Sequence, residues 1–225
     1  MASDPAERGN GAASPAPRRE GAGSAALRRE DVLRAAADVF MQKGYGATSL
    51  NEIAERMGST KGKLYYYYES KYELYLDIHV TALRWATERC IAARDTETEP
   101  ARQLWAMAQA QAMLNLEGQP MIRVAIQGLE RYLMDLGDGP LDKLTRRLIA
   151  LRSDFEHIYR QAIEEGVRTG AFPADTDASL SAKWVLGTIN WIVVWASPRK
   201  RPRRPRESIA ASAADFVLAG LRGVK

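Results

Sequence analysis

At 225 residues, with 46% hydrophobic side chains and five tryptophans, the chain is long enough to bury a core in one or two domains. No run approaches the roughly 20 apolar residues of a membrane span, residues 1–26 lack the apolar stretch of a secretory signal, and the single Cys90 cannot close an internal disulfide; together these point to a cytoplasmic protein without a membrane partner. The net charge of +4 is less than the six positive charges carried by Arg199, Lys200, Arg201, Arg203, Arg204 and Arg206, so it does not by itself mark a nucleic-acid-binding face.

Residues 1–26, rich in Ala, Gly, Ser and Pro with no apolar periodicity, read as a disordered arm. Its Arg18 and Arg19, with Arg28 and Arg29 beyond, could touch DNA phosphates or belong to a mere tail. Residues 28–43 form the first helix, with an apolar stripe of Val32, Leu33, Ala36, Val39 and Phe40 that stops at Gly44. Thr48 or Ser49 caps the next helix, and Ser49 with Glu52 fits a capping box. Leu50, Ile53, Ala54 and Met57 share one face, Gly58 ends the helix, and Thr60 caps another. The small Ala54 lets the two helices cross closely. The pattern is a helix-turn-helix.

The second of these helices is unusual for a core element. Lys61, Gly62 and Lys63 fill its first turn, followed by four tyrosines. Only Leu64 and Tyr68, with Tyr65 at the margin, make an inward face, which leaves Lys61, Lys63, Tyr66 and Tyr67 pointing outward. Exposed ammonium and phenol groups suit phosphate oxygens and base edges in a major groove. The competing reading is a solvated tyrosine-rich surface helix.

This stretch resembles the DNA-binding segment of TetR-family transcriptional regulators. The resemblance rests on Lys61, Gly62, Leu64, Tyr65, Tyr66, Tyr68, Ser70, Lys71 and Leu74, and upstream on Ala36, Phe40, Gly44, Thr48, Ile53 and Ala54, so it covers residues 29–75. Tyr67 stands where the family usually has His, and Lys63 where it usually has a small residue or Thr. The resemblance implies double-stranded operator DNA as partner. It also implies a DNA-binding set of Thr48, Ser49, Lys61, Gly62, Lys63, Tyr65, Tyr66, Tyr67 and Lys71, with Lys71 on a phosphate.

The rest of the chain is helical by pattern. Residues 71–93 form a long helix with Leu74, Ile78, Leu83 and Trp85 among its buried candidates. Pro100 opens a helix to about Leu116, and Gly118 and Pro120 break the chain before another that ends near Leu136 at Gly137–Pro140. An amphipathic helix runs from about Leu141 to Thr169. Asp175 or Asp177 caps the next, to about Ala196, and Ser208 starts the last, to about Leu221. With no strand pattern, the expected fold is all-α. A three-helix helix-turn-helix domain occupies residues 27–72, and a helical ligand-binding and dimerisation domain residues 73–225. There is no Gly-rich phosphate loop, CxxC pair or zinc-like His pair, and His79 and His157 lie far apart and read as surface or core histidines. No catalytic residue, metal or cofactor is expected.

The segment from Leu180 to Trp195 is apolar nearly all round, which calls for one face in the subunit and another against a partner. In the last helix Ile209, Phe216, Val217 and Leu221 alternate with close-packing alanines. Two helices from each subunit would make the four-helix seam of a homodimer, as the resemblance also implies. Glu164-Glu165-Gly166, Gly170, Phe172, Asp177, Leu186-Gly187, Asn190-Trp191 and Trp195 look like the subgroup that senses acyl-CoA thioesters. That subgroup usually follows the last Trp with Tyr or Arg and then Pro; here Ala196-Ser197-Pro198 lead into the basic loop 199–206. The loop could meet CoA phosphates, sample DNA or stay solvated. Trp85, Trp105, Asn190, Trp191 and Trp195 are the candidate ligand residues, although a helical tryptophan can equally be packing. The reading is a homodimeric repressor released from a palindromic operator by a small apolar or acyl-CoA effector, its recognition helices roughly 34–36 Å apart. An all-helical enzyme acting on CoA esters lacks a nucleophile–base pair in this sequence, and a DNA-binding structural protein would need no ligand.

Overall fold

The computed structural model describes residues 29–127, 143–196 and 203–223. The arm 1–26 with Arg18 and Arg19, Arg28, the predicted helix end near Leu136 with its Gly137–Pro140 break, and Arg199, Lys200 and Arg201 of the basic loop lie outside the described residues.

Helix α1 (Arg29–Lys43) buries the predicted stripe Val32, Leu33, Ala36, Val39 and Phe40, together with Ala37. α2 (Leu50–Arg56) starts from a complete capping box: Ser49 Oγ accepts from the Glu52 N–H, and the Glu52 carboxylate accepts from the Ser49 N–H. Gly58 follows with φ of +60°, where a side chain would be strained, and the Ser59 N–H returns to the Ala54 carbonyl. α3 (Lys61–Tyr67) is capped by Thr60. α4 (Lys71–Arg94), capped by Ser70, then leaves the helix-turn-helix and packs into the bundle formed by the rest of the chain.

That bundle consists of α5 (Pro100–Glu117), α6 (Pro120–Gln127), α7 (Lys143–Arg168), α8 (Ala178–Asn190), α9 (Ile192–Trp195) and α10 (Arg206–Arg222). The described residues are helical with no strand, so the fold is all-α as expected. α5 is the central element, with α4, α7, α8 and α10 packed around it. α1 packs on α6 as well as on α2 and α4, and one buried cluster runs from Val32 to Leu218. Three short helices cannot bury much apolar surface alone, and leaning on α6 supplies the rest.

Of the two caps the sequence offered for α8, Asp177 is the one used, accepting from the Leu180 N–H at 2.9 Å. The helix expected to continue to Ala196 is interrupted at Trp191, where the Val194 N–H bonds to the Trp191 carbonyl three residues back. Ile192, Val193 and Val194 are β-branched and crowd the preceding turn, which favours such a tightening. α7 ends at a tight contact the pattern could not show. A Cβ on Gly166 would lie 2.2 Å from the Phe172 ring, and the Phe172 N–H donates to the Gly166 carbonyl. Cys90 is buried with its Sγ 3.4 Å from the Tyr159 hydroxyl, and burial pushes its thiol up to about 11.

Candidate nucleic-acid interface and effector cavity

On α3, Leu64 and Tyr68 are buried, while Lys61, Gly62, Lys63, Tyr65, Tyr66 and Tyr67 are exposed. Tyr65, placed at the margin by the sequence, belongs to the outer face. Tyr66 is 85% exposed and meets Tyr67 edge to face with ring centroids 5.4 Å apart. The Lys61 ammonium lies 5.2 Å from the Tyr65 ring centre. The position of a Cβ on Gly62 has no atom within 4 Å, so nothing in the described chain obstructs a close approach there.

The far end of α3 is pinned. Tyr68 Oη donates to Asp77 Oδ2 of α4 at 2.6 Å, and Arg29 of α1 ion-pairs with the other Asp77 oxygen. Burial, reinforced by the Asp77 carboxylate, pushes the Tyr68 phenol well above its usual range. At the start of α2, Lys43, then the Ser49 N–H and hydroxyl, hold the Glu52 carboxyl at about 2. These contacts join α1, α2, α3 and α4 around one outward face.

Two candidates have other employment. Thr48 is buried, its hydroxyl donating to the Gly44 carbonyl at 2.7 Å, so its side chain is not on the exposed face. The half-buried Lys71 donates to the carbonyls of Tyr45 (2.7 Å) and Gly46 (3.3 Å) and lies over the Tyr45 ring at 4.4 Å. An ammonium has three N–H donors, so these two bonds leave one over. The separation of 26 residues between Lys71 and Tyr45 left no local signal for this clasp. The candidates left exposed are therefore Ser49, Lys61, Gly62, Lys63, Tyr65, Tyr66 and Tyr67.

A second feature lies inside the helical bundle. A cavity of about 580 Å³ opens between α4, α5, α6, α7 and α8. Leu83, Leu114, Ile122, Ile126, Leu148 and Phe155 supply apolar wall, and His79, Gln111, Asn115, Arg152, Glu156, Lys183 and Asn190 supply polar groups. Most of the latter are engaged. Gln111 donates to Asn190 Oδ1 at 2.8 Å and accepts from Tyr159 Oη at 2.6 Å. Asn115 donates to the Ile189 carbonyl at 2.9 Å, and Lys183 ion-pairs with Glu156 at 2.5 Å.

Of the five candidate ligand residues, Asn190 lines this cavity and the four tryptophans do not. Trp85 packs half-buried against the core. Trp105 Nε1 donates to Asp215 Oδ1 at 2.7 Å, tying α5 to α10, while Arg102 stacks 4.7 Å above its ring. Trp191 and Trp195 stand exposed outside, as does Trp184 of α8. Sequence periodicity marked the segment as apolar but could not separate a surface against a cavity from one against solvent.

His79, read from the sequence as a surface or core histidine, is in the core and also lines the cavity, as do other residues that the sequence did not single out. It is 2% exposed, with Nδ1 2.9 Å from the Tyr75 carbonyl and Nε2 unpartnered. Burial lowers its pKa to about 4; the Tyr75 carbonyl opposes this and the Arg152 charge adds to it. A lone histidine in a helix offered no spacing that would have identified it. Among the described residues no group of three or more His, Cys, Asp and Glu could hold a metal ion, and no helix is long and apolar enough to cross a membrane.

Comparison with known proteins bears on both features. Residues 32–78 match the family described as bacterial regulatory proteins, tetR family, and residues 97–221, more than half of the chain, match the tetracyclin repressor-like C-terminal domain. The chain is 28% identical over 171 residues to the HTH-type transcriptional repressor KstR2 of Mycolicibacterium smegmatis, covering 75% of this chain and 78% of that protein. The crystal structure of the TetR family transcriptional regulator PfmR from Thermus thermophilus is 28% identical with a TM-score of 0.72, over 86% of this chain and 98% of PfmR. FadR of Bacillus subtilis, solved in complex with stearoyl-CoA, is 17% identical and shares the fold with a TM-score of 0.67, over 86% of this chain and 99% of FadR.

Proposed function

The chain belongs to the TetR family of bacterial regulatory proteins, and from that premise we propose that it is a cytoplasmic homodimeric repressor that holds a palindromic operator and lets go when a small molecule fills the cavity. The observation that carries the DNA reading is the inversion of α3. Two buried side chains, Leu64 and Tyr68, anchor a helix whose remaining residues between Lys61 and Tyr67 are exposed. A core gains little from a helix that turns two lysines and three tyrosines to water. A major groove offers phosphates and base edges for all of them. Ser49, Lys61, Gly62, Lys63, Tyr65, Tyr66 and Tyr67 form the proposed contact face. Thr48 shapes it from below and Lys71 joins it through the N–H left over from its clasp. Residues 27–72 act as the DNA-binding unit and residues 73–225 hold effector and partner.

The effector half of the proposal is supported by the cavity, whose volume falls within the range of small-molecule sites and whose walls mix apolar and polar groups. FadR, of like fold, is solved with a CoA ester. That makes an acyl chain or an acyl-CoA a reasonable first effector to try, with Asn190 at the cavity and the exposed Arg203 and Arg204 of the basic loop as its side chains to watch. The repressor mode is supported by the name of the KstR2 relative.

Binding-site selection on the purified protein, with and without Lys63→Ala, tests the interface. The selected consensus should be a palindrome, and the substitution should change the base preferred at one symmetric pair of positions, with discrimination there falling by roughly 1–3 kcal/mol. Selection of no consensus would sink the operator. Anisotropy titration on that operator with acyl-CoA esters and free fatty acids tests release, for which a coupling of about 1–3 kcal/mol is expected. Operator affinity unchanged by every compound that binds the cavity would sink the repressor mechanism.

A further inference from the structure

His79 Nε2 is a buried polar atom without a partner among the described residues, and the His79 side chain is part of the cavity lining. The other ring nitrogen fixes what Nε2 can do. Nδ1 faces the Tyr75 carbonyl at 2.9 Å, and a carbonyl oxygen only accepts, so Nδ1 carries the proton. In the neutral ring Nε2 is then a lone pair. Leaving a buried acceptor unsatisfied is costly, and native structures seldom do so without a functional reason. The other amides of the cavity do not relieve it: Gln111 donates to Asn190 and accepts from the Tyr159 hydroxyl, and Asn115 donates to the Ile189 carbonyl.

The residues that line the cavity with His79 say what kind of molecule it suits. Ala82, Leu83 and Ala86 follow His79 at three, four and seven residues along α4 and line the same cavity. They make an apolar strip on one face of the helix, about 10 Å long at 1.5 Å per residue. Leu114, Ile122, Ile126 and Leu148 face into the same space.

We infer that the effector is an elongated apolar molecule carrying an O–H or N–H group, which it donates to His79 Nε2 while its hydrocarbon body lies along the α4 strip. The inference rests on the reading of the cavity as the effector site and adds the chemistry by which that site chooses. An ether, ester or carboxylate oxygen at the same point would set a lone pair against a lone pair and be rejected. The imidazole stays neutral near pH 7 because its burial disfavours the cation, so the acceptor is always presented.

The test uses the full chain and matched probes: hexanol, octanol, decanol and dodecanol as primary alcohols, each against its methyl ether. Calorimetry should give at least one alcohol a tenfold or greater advantage over its ether. The chain contains only two histidines, His79 and His157, so histidine-labelled protein gives a simple nitrogen NMR spectrum. The His79 Nε2 resonance should move with the alcohol and stay with the ether. His79→Leu should abolish the preference, and His79→Gln, whose Oε1 can accept at a similar reach, should restore part of it. If the Leu variant does not fold, the resonance shift in the parent protein and the Gln variant still decide. Equal affinity for alcohol and ether, no binding by any member of the series, or an unmoved His79 resonance overturns the inference. Equal affinity with operator release by both would leave the repressor reading intact while this one falls. Alcohol preference with a moved resonance but no operator release would support the donor–acceptor match and sink the release mechanism.

Discussion

Lys71 and Lys61 are both lysines on the helix-turn-helix, yet they are placed to do different work. Lys71 is half-buried and ties α4 to the loop before α2 through the Tyr45 and Gly46 carbonyls. Lys61 is exposed on α3, with its ammonium near the Tyr65 ring. Lys71→Ala should therefore cost about 1 kcal/mol of stability as well as DNA affinity, since charged donors to backbone carbonyls are lost. Lys61→Ala should leave stability within about 0.5 kcal/mol and flatten the slope of log affinity against log salt by about 1 per lost phosphate contact, or about 2 per dimer. Urea melts beside salt titrations separate the two; an unchanged urea midpoint for Lys71→Ala would remove the clasp from the energetics. His79 makes a second prediction at this scale. Its folded pKa of about 4 lies below the unfolded 6.5, so the unfolded state binds the extra proton in between. The stability it contributes is complete above pH 6.5 and is lost as pH falls toward 4, by about 3 kcal/mol over the window. Glu52 is depressed to about 2, so its loss falls below pH 4.5 and does not mimic this slope. Urea midpoints of the parent should drop between pH 6.5 and 4.5 while those of His79→Gln stay flatter, and parallel curves would refute the buried neutral ring.

At the scale of elements, the turn from α7 into α8 gives the sharpest packing prediction. Phe172 fills the space where a Gly166 side chain would project, and both backbones are held there by the Phe172 and Ala171 N–H groups on the Gly166 carbonyl. Gly166→Ala should cost about 1–3 kcal/mol through overpacking, and adding Phe172→Leu should recover part of that loss; additive losses in a thermal-melt cycle would mean the two do not touch. This contact had no local signature, whereas α1, α2 and α3 were legible because theirs are local: a 3.6-residue stripe, a capping box at Ser49 and Glu52, a turn glycine at Gly58, and a cap at Thr60. The exposed side of α3 was legible for the same reason. The segment at Leu180–Trp195 was not, because apolar residues on every side carry no phase. Its Val185, Ile189 and Ile192 went to the core, its Trp191 and Trp195 to the surface, and only Asn190 of the chosen ligand residues reached the cavity. The cavity itself is assembled from five helices, and His79 entered it through contacts far apart in sequence. Thr48 and Lys71 were chosen on resemblance, which specifies a position in a motif but not which way the hydroxyl or ammonium turns.

For the whole molecule, the question is what covers the bare apolar side. α8 packs on α10, and this end of the chain leaves Leu180, Trp184, Val194, Trp195 and Phe216 exposed, with Trp184 at 69% and Phe216 at 67%. If these side chains adjoin in one patch, an interaction surface is the expected use of it. A twofold partner would supply the same residues in return, so each exposed ring is used twice. Phe216 is the discriminating position because it contributes little to its own subunit's core, whereas its neighbours Val217 and Leu218 are buried there. Phe216→Asp should therefore leave the subunit folded, with helical content intact and a thermal midpoint that no longer rises with protein concentration. It should also place a carboxylate in the seam, where an unpaired charge is costly. Sedimentation should then find monomer at concentrations where the parent is dimeric. Operator binding should fall by far more than the loss of one contact, because a lone α3 face spans a single half-site and the two half-sites are held in register only by the dimer. Val217→Asp serves as the contrast, since it strikes the core and should unfold the subunit itself. An intact Phe216→Asp dimer would move the interface away from α8 and α10 and leave the exposed tryptophans to a different partner.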